Sequence, residues 1–337
     1  MTTIVLFGGT SDERHVSVAS AQNIVRAIPG VLAWFWTPDG KVHDVAPADL
    51  LAHQRPFEVD FLPARPAIFP TLEQALDTLP VEDPFFLLGL HGGEGEDGTV
   101  QRMLEARDIP YSGSDSEVSA ATFDKERAKE LVGARVGKRL RVPESRVVRS
   151  APELHAAIAD LLSRHERIVL KPVAGGSSRG LYFLGHGDEA PSDLRFPYLL
   201  EPFLEGRELT VGVIDQGDGP FALPVIEIEV DPNRTFDYEG KYLGAGTREI
   251  CPANIPEDLA CEAQAAALAA HVALGCEGYS RSDFIAAADG MYFLELNTLP
   301  GLTITSLVPQ ELRAVGIEFA DFLRKQVELG SRRAVKS

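Results

Sequence analysis

Two carboxylates, an amide and a guanidinium stand at regular spacing in YSRSDFIAAADGMYFLELN, residues 279–297: Arg281, Asp283, Glu295 and Asn297. Asp, Glu and Asn offer hard oxygens, the donor type that holds Mg²⁺ beside substrate phosphates and water. Without a cation the two carboxylates would repel each other. The plainer alternative is a solvated polar face balanced by Arg281. The apolar character of the rest of the strand weakens it.

The spacing folds as a β-hairpin. A three-residue loop, Ala288-Asp289-Gly290, with Gly in the left-handed position, pairs Ala287 with Met291. Counting back, Asp283 faces Glu295 and Arg281 faces Asn297. Opposed residues share a face, as do residues two apart along a strand. The other face then carries Ser282, Phe284, Leu294 and Leu296. A two-residue Asp-Gly turn would shift the register and send Asp283 to the opposite side. The longer loop is preferred because it gathers every polar group.

The elements that must position this hairpin read as α/β. TIVLFGGTSDERHVSVASAQNIVRAI gives a strand at Ile4 to Phe7, a Gly8-Gly9 break and a helix from Val16 to Ile28. That glycine turn lies at the carboxyl end of a strand, where α/β ligand sites gather, though a plain tight turn reads equally well. FFLLGLHGGEGEDGTVQRMLEA reads as a buried strand, a polar loop and a helix from about Gly98. SEVSAATFDKERAKELV reads as one amphipathic helix opening a second domain. Ser150 is expected to cap SAPELHAAIADLLSRH, with Glu153 at the capping-box position. RIVLKPVAGGSSRGLYFL reads as a hairpin around a glycine-serine loop, and a domain boundary falls near Leu200. An Ala-rich helix spans about Pro256 to Leu274.

Bulk composition excludes several classes. The 337 residues suffice for two or three domains, and 45% hydrophobic with 24% charged residues is a globular composition. A net charge of -18 argues against a nucleic-acid backbone as partner. No apolar run reaches the roughly 18 residues of a membrane span, so no membrane partner is expected. MTTIVLFGGTSDERHVS lacks the basic region of a signal peptide. Three cysteines, Cys251, Cys261 and Cys276, without CxxC spacing, read as free thiols of a cytoplasmic protein.

Taken together, LFGGTSDERHVS, LHGGEGEDGTVQRMLE, TFDKERAK, VLKPVAGGSSRG, EPFLEGRELTV, FDYEGKY, CPA, GCEGYSRSDF and LELNTLPGLTITSLVP resemble, in order, the D-alanine–D-alanine ligases of the ATP-grasp superfamily. The resemblance spreads over almost the whole chain. It implies an α/β fold, α+β in the ATP-grasp part, with three domains: an N-terminal Rossmann-like substrate domain at 1–115, a central domain at 116–200 and a C-terminal catalytic domain at 201–337. ATP would lie between the last two. The implied reaction is ATP-driven amide formation through an acylphosphate, giving D-alanyl-D-alanine, ADP and phosphate for peptidoglycan precursors. The alternative is a related ligase with another acceptor, such as D-lactate, D-serine or an amino acid of a specialised pathway.

The resemblance also implies roles. Asp283, Glu295 and Asn297 look like ligands of two Mg²⁺ ions, with Mn²⁺ as a substitute. Lys125, Lys171 and Lys241 look like the phosphate-binding lysines, and Gly176, Ser177 and Ser178 like the lid over the phosphates. Glu201, Phe203 and Leu204 would meet adenine, and Glu208 the ribose. Glu13 would hold the first D-alanine's ammonium, with His91 nearby. Arg281 and the Gly301 amide suit an oxyanion. Ser306 and the Leu307 amide resemble the grip on the second carboxylate. Tyr242, Ser177 and Glu13 would form one closing latch. A homodimer is implied as well. Three features depart from the family: Pro202 stands where many members have Lys, Arg179 sits in the lid, and GARVGKRLRVPES replaces a GLPVAP-like connection.

Overall fold

The computed structural model describes residues 1–137, 140–176, 180–192, 194–230 and 247–333. The expected Ser177, Ser178, Lys241 and Tyr242, and Arg179 with them, lie outside the described residues.

Three sheets carry the fold. The first contains β1 (Thr2–Gly8), β2 (Leu32–Trp36), β3 (Val42–Val45) and β4 (Pro84–Leu88), in the order β3-β2-β1-β4. β1 is parallel to β2 and to β4, while β3 is an antiparallel edge. β1 and β4 are almost continuous runs of buried Ile, Val, Leu and Phe, the composition of strands covered on both faces. Helix α1 (Arg14–Ala27) covers one face, and α2 (Pro47–Ala52), α3 (Leu72–Asp77) and α4 (Thr99–Glu105) complete this unit. The order reverses at β1, so the loops leaving β1 and β4 lie side by side at their carboxyl ends. Gly8 has φ +94, and a Cβ there would lie 2.3 Å from the Trp36 carbonyl oxygen, so only glycine makes this turn.

SEVSAATFDKERAKELV forms two helices where one was expected: α5 (Ser116–Phe123) and α6 (Lys125–Val136). Asp124 is extended, with φ -81 and ψ 105, and its side chain accepts from the Arg127 amide. The Lys125 amide turns out to the Val173 carbonyl at 3.0 Å. A short polar side chain that caps its own downstream helix outcompetes continuation of the upstream one.

The second sheet contains β5 (Arg146–Val148), β6 (Arg167–Pro172), β7 (Tyr182–Gly185) and β8 (Tyr198–Pro202), ordered β5-β8-β6-β7, with α7 (Ala151–Leu162) on its core face. The capping box expected at α7 does not form. Ser150 makes no side-chain cap bond, but the Glu153 carboxylate accepts from the Arg149 amide at 2.7 Å.

The third sheet contains β9 (Gly206–Asp215), β10 (Pro220–Ala222), β11 (Ile226–Val230), β12 (Thr247–Ile250), β13 (Tyr279–Ala287) and β14 (Gly290–Asn297). Its main path runs β12-β11-β9-β13-β14. Helix α8 (Glu257–Leu274) packs on one face, burying Leu209, Val211, Phe284, Phe293 and Leu296. Ala128 and Val132 of α6 join that core, so α6 packs on the third sheet although it precedes the second in sequence. β8 and β9 belong to different sheets, and the chain crosses between them at residues 203–205. Helices α9 (Leu307–Ala314) and α10 (Phe319–Arg333) close the chain, their Leu312 and Phe322 in one core with the first sheet.

The hairpin reaches the expected facing pairs by another route. The turn is shorter than expected: Ala287 pairs with Gly290 and Ala286 with Met291. The register then shifts between Asp283 and Phe284, leaving Leu294 as an extra residue on β14. Beyond this bulge Asp283 faces Glu295 and Arg281 faces Asn297. Phe293, where the sequence suggested Leu294, is the fully buried partner of Phe284.

Candidate active site

The loops after β1 and β4 form the first wall. The Ser17 hydroxyl accepts from the Gly8 amide at 2.8 Å and donates to the Gly89 carbonyl at 2.5 Å, tying the two strand ends together. Glu13 sits at the N-terminus of α1. Its Oε1 would lie 3.2 Å from a Cβ at Gly92 and 2.8 Å from one at Gly176. Its carboxylate is thus wedged between the β4 loop and the glycine-rich segment of the second sheet. His91 is buried. Its Nδ1 lies 3.1 Å from the Leu299 carbonyl, which can only accept, so Nδ1 carries the proton. Its Nε2 lies 2.9 Å from the Ser20 hydroxyl, which accepts from the Leu302 amide. His91 is therefore a strut between the first sheet and the 299–302 loop.

The site face of the third sheet is the second wall. In the β13–β9 register Arg281, Asp283 and Ile285 oppose Gly212, Thr210 and Glu208. Glu208 therefore shares a face with Arg281, Asp283, Glu295 and Asn297. Arg281 grips Asp283 with two bonds of 2.9 Å, and the Thr210 hydroxyl donates to Asp283 at 2.6 Å. Asn297 Oδ1 accepts from the Leu299 amide at 2.7 Å, which starts the turn into the 298–306 loop. Gly301 abuts Ser306, whose hydroxyl would lie 2.6 Å from a Cβ there. The Ser306 hydroxyl also accepts from the Thr303 amide at 3.1 Å. Leu307 opens α9, where first-turn amides have no helical acceptor and suit an anion.

The third wall is a chain of lysines. Lys125 Nζ donates to the Gly175 carbonyl at 2.5 Å and stands 3.3 Å from Glu295. Lys171 Nζ is 2.8 Å from Glu201 Oε2, and Lys129 Nζ is bonded to Glu201 Oε1. All three charges are nearly sequestered from water, with exposures of 3% for Lys129, 3% for Glu201 and 13% for Lys171. Burial and then Lys171's repulsion push Lys129 down to about 7. Burial opposes charge on Lys171 too, but attraction to Glu201 prevails and raises it. At Glu201 burial favours the acid form, and the two lysines outweigh it, so the carboxyl titrates low. The Glu201 carboxylate is thus taken up by two lysines.

Phe203 and Leu204 are half-buried in the crossing between sheets. The Phe203 amide donates to the Arg167 carbonyl at 2.9 Å, and the Arg167 guanidinium lies 4.2 Å over the Phe203 ring. The three walls meet at an open cleft lined by Glu96, Lys125, Gly175, Gly176, Glu295 and Asn297.

Several residues here escaped the sequence reading. Lys129 is one helical turn after Lys125, and that i,i+4 spacing was the available signal. Glu96 accepts from the Gly92 amide at 3.0 Å and lines the cleft, hidden in sequence among six other acidic or glycine positions. Glu311 accepts from the Gly212 amide at 2.7 Å and is fully buried. A helical-periodicity reading would not place an acid there.

The donor set fits a divalent cation. Among the described residues no group of three His, Cys, Asp or Glu side chains is gathered. A hard cation at this face would thus take Glu295, Asp283, the Asn297 amide oxygen and ligands from a substrate. The Lys125 ammonium beside Glu295 shows that this carboxylate sits in a place that favours positive charge.

Sheets and cleft together have the architecture of the ATP-grasp enzymes. A family model described as D-ala D-ala ligase N-terminus matches residues 2–114, and one described as D-ala D-ala ligase C-terminus matches residues 165–328. The chain is 34% identical over 355 residues to the D-alanine–D-alanine ligase of Leptospira interrogans, covering 98% of each. It is 36% identical over 329 residues to that of Geobacter sulfurreducens, covering 95% of this chain and 91% of the relative. Its fold is similar to VanG D-Ala:D-Ser ligase from Enterococcus faecalis, with TM-score 0.77, 27% identity and coverage of 97% and 98%. It is also similar to the Bacillus anthracis D-alanine–D-alanine ligase complexed with ATP, with TM-score 0.73, 26% identity and coverage of 100% and 99%. The chain belongs to the D-alanine–D-alanine ligase family.

Proposed function

We propose that this protein joins two D-alanines into D-alanyl-D-alanine at the expense of ATP, releasing ADP and phosphate and supplying peptidoglycan precursors. The observation that carries this reading is the convergence on one cleft of a lysine-rich phosphate pocket, a face of hard oxygen donors and the Glu13 carboxylate. They are supplied by α6 and β6, by β13 and β14, and by the N-terminus of α1.

In this reading Lys125 and Lys171 hold the nucleotide's phosphates, and the hinge at Glu201 to Leu204 holds adenine. The Pro202 nitrogen cannot donate, so its neighbours supply the contacts. Glu208 faces the ribose. Glu13 takes the first substrate's ammonium with His91 bracing the loop beside it. The first carboxylate accepts the γ-phosphoryl group, and the resulting acylphosphate is attacked by the second amine. Arg281 and the Gly301 amide stabilise the charge that develops on oxygen. Ser306 and the Leu307 amide hold the acceptor's carboxylate. Asp283, Glu295 and Asn297 would hold Mg²⁺, which supplies charge neutralisation at the β- and γ-phosphates when bound. Lys241, Tyr242, Ser177 and Ser178 would complete the lid.

The division at about residues 115 and 200, a homodimer and a cytoplasmic location belong to the same proposal. Among the described residues no helix is long and apolar enough to cross a membrane. The test is incubation with ATP, Mg²⁺ and D-alanine alone or paired with D-serine or D-lactate, following phosphate and product mass. One dipeptide per phosphate with D-alanine alone is expected. Product only with D-serine or D-lactate as acceptor would replace the reading with a different ligase specificity.

A further inference from the structure

The Lys129–Glu201–Lys171 cluster joins a helix of the third sheet's core to two strands of the second sheet. Each oxygen of Glu201 is taken by a different ammonium. A lysine that must reach phosphates cannot easily leave a buried carboxylate that depends on it alone, because that carboxylate would become an unpaired buried charge. Two lysines on one carboxylate remove that obstacle.

We propose that Lys129 is a positioning residue of the nucleotide clamp: it keeps Glu201 paired from the α6 side, so that Lys171 is free to turn to the phosphates. This rests on the ligase reading above, in which Lys171 is a phosphate ligand. Three features support it. Lys129 is itself too deep to meet a nucleotide directly, at 3% side-chain exposure, whereas Lys171 at 13% stands nearer the opening. Lys129 is fixed on α6 by the same turn that places Lys125 at the cleft, so the two bases are set by one helix. Glu201 cannot follow Lys171 outward, because its strand is bonded on both sides, to β5 and to β6.

Removing the Lys129 charge should therefore lock Lys171 onto Glu201. Lys129→Met should weaken ADP binding, measured by calorimetry, by roughly tenfold or more, the size of a unit charge acting across several ångströms of protein. Adenosine, which lacks the phosphates, should bind unchanged, and the KM for D-alanine should stay within about twofold. Lys129→Arg, which keeps a cation on Glu201, should bind ADP as the wild type does. The double variant Lys129→Met/Glu201→Gln should recover ADP affinity, because Lys171 then has no carboxylate to hold it. Equal losses of adenosine and ADP in Lys129→Met would show a merely structural lysine and overturn the proposal. So would a double variant as weak as the single one. Absence of ADP binding by the wild type would instead overturn the ligase reading.

Discussion

Glu201→Gln keeps the shape of the side chain and removes the one anion between two buried ammonium groups. In the wild type Lys129 titrates near 7, against an ordinary value of 10.5. Between those values the unfolded chain holds a proton on Lys129 that the folded chain lacks, so this group makes stability rise with pH across that window. Without Glu201, Lys129 and Lys171 cannot both stay charged at lower pH, and the window extends below 7. The loss of the buried pair itself costs about 3 kcal/mol, the lower end for such a deletion. Below pH 7 the cost grows by about 1.4 kcal/mol per pH unit, to about 5 kcal/mol at pH 5.5. For a chain of 337 residues with an unfolding entropy of about 2.1 cal/mol/K per residue, these correspond to Tm differences of about 4 °C and about 7 °C. Calorimetric scans of both proteins at pH 5.5, 7 and 8.5 measure this directly, and slopes common to both cancel. A constant offset at all three pH values, or none, would refute the argument that one carboxylate serves two buried charges.

Glu295→Gln should lower turnover by about a hundredfold or more while leaving Tm nearly unchanged, since the residue faces the cleft and not a core; phosphate release equal to wild type would remove it from the metal set. Burial holds the Glu311 carboxyl well above the ordinary carboxylate range, despite the Gly212 amide and Arg281, so the wild type loses stability as pH rises above about 4.5. Glu311→Gln keeps the acceptor for Gly212, and its Tm advantage over wild type should widen between pH 5 and pH 8; an advantage that shrinks over that range would contradict the protonated state. His271 is pushed down to about 4 by burial, and its Nδ1 lies 2.7 Å from the Ser280 hydroxyl. Its contribution is present above pH 6.5 and is lost as pH falls towards 4, a change of about 3 kcal/mol that His271→Gln should abolish in acid unfolding curves.

Much of the site was legible because it depends on local periodicity and on motif. The two-residue period of β13 and β14 put Arg281, Asp283, Glu295 and Asn297 on one face, and the glycine breaks marked the loops that hold Glu13 and His91. The resemblance singled out Lys125 and Lys171, which pair with Glu295 and Glu201. Three things required the tertiary structure. The bulge at Leu294 is decided by packing: Phe293 fills the core against Phe284, and only an extra residue then returns Glu295 to the open face. The break at Asp124 carries a local capping signal, but the Lys125 amide there also finds its acceptor only at Val173, 48 residues onward, which local propensity does not encode. Lys129 carries the same sequence signal as any solvated helical lysine. What makes it a buried counter-ion is Glu201, 72 residues away on a strand of another sheet. A sequence fixes which side chains share an element's face, because that follows from backbone geometry within a few residues. Which faces meet, and which charges become partners out of water, is settled only when separate elements pack.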